Sequence, residues 1–296
     1  MHDMNSRTAS VSDWRSWPQA ELERQYDARA TVPDIAVELQ AYRDSSTPMY
    51  QLTPCVRDVT YGSGSDETLD LFPVAGRPDA PLLVFIHGGY WRALTSQDSV
   101  FMAQQFTAHG VAVAAINYTL APQATLAQIV DQCQRAVAWL LKDAAPHGVA
   151  PPRTVLTGSS AGAHLAAMLL APEWQAEHGL APNALCGGVL LSGLYDLEPV
   201  QRCVPNTWLN LSVAQAQALS PMHHLPHPQV PLYVAVAEHD TDEFKRQSRH
   251  YAAACRAHGN PVTWHEAPQR NHFNIVLDWM DAQSALFQAT MGLMHK

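Results

Sequence analysis

From residue 81 to its end the chain alternates between two hydrophobic patterns. Continuous apolar runs occur at "PLLVFIH" (81–87), "VAVAAINY" (111–118), "TVLTG" (154–158), "GGVLLSG" (187–193) and "PLYVAVAEHD" (231–240). Runs this short, with no polar alternation, are what strands buried on both faces look like. Between them the apolar positions are spaced for helices. Val100, Ala103 and Phe106 share one face of a helix that Gly110 can end. Leu126, Ile129, Val130, Cys133, Val137 and Leu140 form an amphipathic stripe, with Asp131 on the solvent side. Phe244, Tyr251 and Cys255 mark a third helix, "PVTWHEA" a last strand, and residues 273–290 a last helix. Upstream, "CVRDVTYG" and "TLDLFPVAG" predict two short strands around the turn-rich "SGSDE".

Regular alternation of strand and helix predicts an α/β fold: a mostly parallel central sheet with helices on both faces. Residues 1–50 are polar with Trp14, Trp17 and Tyr26 interspersed, and read as a helical segment packed on a body formed by 51–296. The proline-rich stretch 197–228, with a short helix near 212–219, reads as a partial cap over the sheet edge.

Composition narrows the partners. A hydrophobic fraction of 47% in 296 residues suits a globular domain with a sizeable core. The net charge of -9, with scattered basic residues, argues against nucleic acid or an anionic membrane surface and leaves a small-molecule substrate. Five dispersed cysteines without a C-x-x-C pair read as reduced thiols. The opening "MHDMNSRTASVSDW" lacks an apolar core, so no secretory signal is expected. No run approaches the ~20 apolar residues of a membrane span. A cytoplasmic protein is the expectation, and a homodimer is left open. No nucleotide-binding glycine motif occurs, so no cofactor is expected. His223, His224 and His227 in "PMHHLPHP" have no carboxylate or thiol companion and read as a loop, not a metal site.

One junction carries chemistry. "TVLTGSSAGAHLAAML" (154–169) runs from a buried strand straight into an Ala/Leu-rich helix, with Gly158 and Gly162 allowing a sharp turn. The pattern is G-x-S-x-G with Ser160 at its centre and Ser159 as bystander. On such an elbow the central serine is exposed above the sheet at a helix N-terminus. A serine needs a base, and the base needs an orienting group. Asp240 ends the strand 231–240 and His272 lies in the loop "APQRNHF" after the last strand. Glu238 and Asp242 are rivals for the acid, the first close enough to its strand to point into the sheet, the second a first-turn helix residue. The order serine, aspartate, histidine is that of α/β-hydrolases. "HGGYW" (87–91) follows its strand directly, and paired glycines there can turn backbone amides toward a developing oxyanion.

Together "HGGYW", "INYTLAP" (116–122) and "GSSAG" resemble the hormone-sensitive-lipase-like branch of α/β-hydrolases, which carries H-G-G, Y-R-L-A-P and G-x-S-A-G motifs. Within it, H-G-G-x-W, "SGLYDLEP" (192–199) and "EHDTDEFKRQS" (238–248) are similar to arylformamidases (kynurenine formamidases). The likeness spans about residues 22–280 and is less specific for the substrate than for the branch. It implies the α/β-hydrolase fold, Ser160 as nucleophile, Asp240 as acid and His272 as base. The amides of Gly89, Tyr90 and Ala161 become the oxyanion hole. Two positions depart from the branch pattern. Thr119 stands where relatives have arginine, which implies an altered structural contact, and Tyr90 stands where many have a third glycine. The implied reaction is hydrolysis of an N-formyl aryl amide to formate and an aryl amine through a formyl-enzyme. The alternative is a carboxylesterase acting on small acyl esters or carbamates. Tyr90, Trp91, Tyr195, Trp208 and Phe273 are the expected aromatic wall. Arg92, Arg202 and Arg270 are candidates for the far end of the substrate.

Overall fold

The structure is a computed structural model that describes residues 14–181 and 184–295. The polar opening read for a leader, up to residue 13, lies outside the described residues. Among the described residues eight strands form one sheet in the order β1-β2-β4-β3-β5-β6-β7-β8. They are β1 (Val56–Thr60), β2 (Thr68–Phe72), β3 (Leu82–Ile86), β4 (Ala112–Ile116), β5 (Thr154–Ser159), β6 (Gly187–Leu191), β7 (Leu232–Ala237) and β8 (Val262–Ala267). From β4 to β8 every pairing is parallel, while β2 pairs antiparallel with β1 and β4 at one edge.

Alternation along each strand splits the core in two. Leu82, Val84 and Ile86 face the helices Leu126–Lys142, Ala161–Leu170 and Asp242–His258. Leu83 and Phe85 face the helices Ala103–Ala108 and Ala285–Met294. Both faces being covered is why β3 to β7 read as unbroken apolar runs. No helix among the described residues is long and apolar enough to cross a membrane.

The expected last helix over 273–290 is two elements. A 3-10 segment, Asn274–Met280, ends at Asp281, and the α-helix Ala285–Met294 starts afresh. Ser284 forces the break: its hydroxyl accepts from the Phe287 amide at 3.0 Å and donates to the Asp278 carbonyl at 2.5 Å. In the 197–228 stretch a 3-10 turn, Val200–Arg202, precedes the helices Asn206–Leu209 and Val213–Ala218. The N-terminal helices Gln19–Tyr26 and Ile35–Ser46 lie against opposite core clusters, through Leu22 and Tyr26 on one side and Tyr42 on the other.

Candidate active site

β5 delivers Ser160 at the turn into the helix Ala161–Leu170, with φ 57° and ψ -121°. That conformation costs a non-glycine residue energy and persists only because its surroundings enforce it. They do so through close packing: a Cβ on Gly162 would sit 2.0 Å from the Ile86 carbonyl oxygen of β3. The Ser160 amide is held by the Leu191 carbonyl of β6 at 2.8 Å.

β7 delivers Asp240, and the loop after β8 delivers His272. Their side chains meet at 2.6 Å, Nδ1 donating to Oδ1, both almost wholly buried. A carboxylate on Nδ1 favours the tautomer that keeps the proton there and leaves Nε2 free to accept one. The other Asp240 oxygen accepts from the Ser192 hydroxyl at 2.5 Å and from the Ala237 amide at 2.9 Å. Neither rival acid takes this place. Glu238 is exposed and accepts from the Gln269 amide at 2.6 Å; Asp242 is exposed in the first turn of its helix.

After β3, Gly89, Tyr90 and Trp91 have φ of 88°, 52° and 58°, three left-handed residues in a row. Only glycine takes the first without strain, and a Cβ there would also strike the Ala93 carbonyl at 2.3 Å. The loop is clamped from several sides. Tyr90 donates its hydroxyl to the Tyr26 carbonyl at 2.5 Å, and Trp208 Nε1 donates to the Tyr90 carbonyl at 3.0 Å. The His87 ring stacks on Tyr118 at 4.2 Å, and Tyr118 in turn donates to the His87 carbonyl at 3.0 Å. Complete burial pushes the His87 imidazole down to about 4, against the pull of the Gly88 carbonyl, so it is neutral. Thr119 pairs twice with Gln132: its amide donates to Oε1 at 2.8 Å and its hydroxyl accepts from Nε2 at 3.2 Å. Among the described residues no protein acceptor engages the amides of Gly89, Tyr90 or Ala161.

Ser160, His272, Gly88, Gly89 and Tyr90 line one cavity with about 760 Å³ of empty space, its open mouth included. Of the expected wall, Tyr90 and Phe273 are on it. Trp91 and Tyr195 are not. Trp91 lies fully buried beneath the loop, edge-on to His164, and Tyr195 stacks on Tyr251 inside the core. Trp208 lies in a neighbouring groove with the Arg92 guanidinium 4.3 Å from its ring centroid. Most of the remaining wall went unread in the sequence. Ile35, Leu39 and Tyr42 come from the N-terminal helix Ile35–Ser46, and Phe85, Phe101 and Val276 complete the apolar lining. Spacing at i, i+4, i+7 was the available signal. Ser192 was likewise unread as a partner of Asp240. None of the three expected arginines lines the cavity: Arg270 pairs with Asp278 at 2.8 Å, and Arg202 leans on Trp14. His223 ends the 3-10 turn Pro221–His223, and His224 and His227 lie on the loop before β7, where both hydrogen-bond to backbone carbonyls.

A G-x-S-x-G elbow on a parallel sheet, with an aspartate–histidine pair at its carboxyl edge, defines an α/β-hydrolase of the esterase kind, and solved structures agree. A thioesterase candidate from Silicibacter sp. tm1040 superposes with TM-score 0.78 at 27% identity, covering 90% of this chain and 98% of that one. The metagenomic carboxylesterase EstE1 shares the fold, with TM-score 0.69, 17% identity and coverage of 95% and 98%. The family model BD-FAE matches residues 69–178. Kynurenine formamidase of Danio rerio is 30% identical over 97% of this chain and its own full length, and that of Salmo salar 32% over the same shares. The chain belongs to the kynurenine formamidase family. Esterase LipQ of Mycobacterium tuberculosis is also similar, at 28% identity over 73% of this chain and 56% of LipQ.

Proposed function

We propose that the protein is a serine hydrolase that cleaves an N-formyl aryl amide to formate and an aryl amine through a formyl-enzyme on Ser160. The observation that carries this reading is the 2.6 Å bond from His272 to Asp240, with His272 and Ser160 on the wall of one cavity. His272 Nε2 takes the Ser160 proton as Oγ attacks the formyl carbon. The amides of Gly89, Tyr90 and Ala161 receive the charge that forms on the carbonyl oxygen, a stabilisation typically worth several kcal/mol. Collapse breaks the C–N bond, and the amine departs with the proton from His272. Water, deprotonated by His272, then attacks the formyl ester; formate leaves and Ser160 regains its proton.

Glycines beside the nucleophile suit an acyl group with no side chain, and Tyr42, Phe85, Phe101 and Phe273 suit a flat amine. The N-terminal segment, placed on the 51–296 hydrolase body, supplies part of that wall. Similarity to LipQ favours a second reading, a carboxylesterase on small acyl esters or carbamates, which the same groups would serve.

A substrate panel separates the two. On the first reading kcat/KM for N-formylkynurenine exceeds that for p-nitrophenyl acetate; turnover of the ester with negligible action on the formamide would refute it. Ser160→Ala is expected to lose fluorophosphonate labelling and to lower kcat by at least about a thousand-fold. Labelling that survives the substitution excludes Ser160 as nucleophile.

A further inference from the structure

The cavity above Ser160 is apolar nearly throughout, and its one permanent charge is Arg29. Eighteen residues line it; besides His272 no other lining residue carries a charge-bearing side chain. Arg29 lies in the 3-10 turn Ala28–Thr31, between the two N-terminal helices, and is solvent-exposed at the cavity rim. Its backbone amide is engaged, donating to Asp27 Oδ1 at 3.1 Å, but among the described residues no carboxylate pairs with its guanidinium. Arg15, Arg24, Arg77, Arg135, Arg246, Arg249 and Arg270 all have such partners. Arg29 also borders the adjoining groove, where Arg92 lies over Trp208, so its side chain stands at the junction of the two spaces.

We infer that Arg29 is a specificity determinant: it binds a carboxylate carried on the tail of the leaving amine. This rests on the proposed reading of Ser160 and its cavity, and it names the residue that holds the far end of the substrate. The physical case is one of contrast. In a protein of net charge -9 an anion is repelled overall, so it needs a local cation to be held. A guanidinium offers a carboxylate two parallel donors, and here no internal carboxylate competes for them. The aromatic lining holds the ring, the amides of the oxyanion loop hold the formyl oxygen, and Arg29 fixes the opposite end. A three-point hold of this kind places the formyl carbon over the nucleophile.

The test compares a charged and a neutral amine. Arg29→Gln should reduce the ratio of kcat/KM for N-formylkynurenine to that for formanilide by about ten-fold or more, through KM for the former. Arg29→Lys should recover part of the ratio, because it keeps charge and loses the fork. A ratio that stays within two-fold of wild type in Arg29→Gln overturns the assignment. Binding can be read without formamide turnover, using inhibition of p-nitrophenyl acetate hydrolysis by L-kynurenine and by 2-aminoacetophenone, which lacks the carboxylate. If formamides are not hydrolysed, the function reading fails while this arm still reports on Arg29. L-kynurenine should lose about ten-fold in Ki in Arg29→Gln relative to 2-aminoacetophenone; equal changes refute the proposal. Should the variant fail to fold, wild type at 0.05 M and 0.5 M salt decides. Weakening confined to L-kynurenine supports the assignment, and no difference between the two inhibitors overturns it.

Discussion

At the scale of single residues, Asp240 is held by more than its bond to His272. One oxygen faces His272, and the other is held by the Ser192 hydroxyl and the Ala237 amide, in a region closed to water. Ser192 has φ 47°, a left-handed conformation just after β6 that aims its side chain at β7. Removing the hydroxyl leaves a buried carboxylate one donor short and free to tilt. Ser192→Ala is therefore expected to lower kcat about ten-fold with KM within two-fold, since one hydrogen bond to a charged group is typically worth 1.5–3 kcal/mol. Steady-state kinetics decides, and a change confined to KM would rule the role out. The convergence of Ser160, Asp240 and His272 at one edge of the sheet was legible because each lies in the turn or loop that follows a strand. Ser192 was hidden because a serine beside a glycine reads as a turn until β6 and β7 are known to be neighbours. Trp91 and Tyr195 show the converse ambiguity. A large aromatic just past a strand can point up into a site or down into the core, and residue type does not distinguish the two.

At the scale of elements, the N-terminal helices are bound to the body through a buried polar network. Tyr26 donates to Glu243 at 2.7 Å, Arg246 grips the same carboxylate through Nε at 2.6 Å and Nη2 at 2.8 Å, and Gln247 donates to the Tyr26 hydroxyl at 2.7 Å. Farther along, Tyr42 donates to the Phe273 carbonyl at 2.6 Å, next to His272. Because the Tyr26 carbonyl also receives the Tyr90 hydroxyl, the helix Gln19–Tyr26 and the loop 88–91 share a support. Glu243→Ala would strand a largely buried guanidinium and a buried phenol, and should cost about 3 kcal/mol, seen as a lower urea midpoint. The same variant should lose kcat as the loop loosens; full kcat alongside the stability loss would show the two to be uncoupled. Helix spacing made the long amphipathic element after residue 125 easy to read. It could not show the break at Ser284, which depends on a hydroxyl reaching back to Asp278. Nor could it show that the wall near His272 comes from an element some 230 positions earlier in the chain.

At the scale of the whole molecule, two enclosed histidines shape the response to acid. Burial lowers His87 and His164 from the ordinary 6.5 to about 4, each only partly offset by a backbone carbonyl that accepts from its ring. Below pH 6.5 the unfolded chain takes up protons that the folded one refuses. Their contribution to stability is complete above that pH and is lost as pH falls toward about 4. Thermal midpoints are expected to drop steadily across this window, and His164→Gln should flatten the slope; a midpoint constant from pH 7 to pH 5 would contradict this. The architecture itself, a parallel sheet sandwiched by helices, was legible because burial on both faces erases polar alternation in the strands. What escaped prediction was long-range assembly, which local pattern does not encode.

The bent backbone at position 160 has one more implication. Glycine would adopt φ 57° and ψ -121° at less cost than serine does, so a sturdier version of this fold is one without the Ser160 hydroxyl, which on the proposed reading is inert. Breeding the protein for heat tolerance alone, without a turnover screen, would favour survivors that had discarded that hydroxyl.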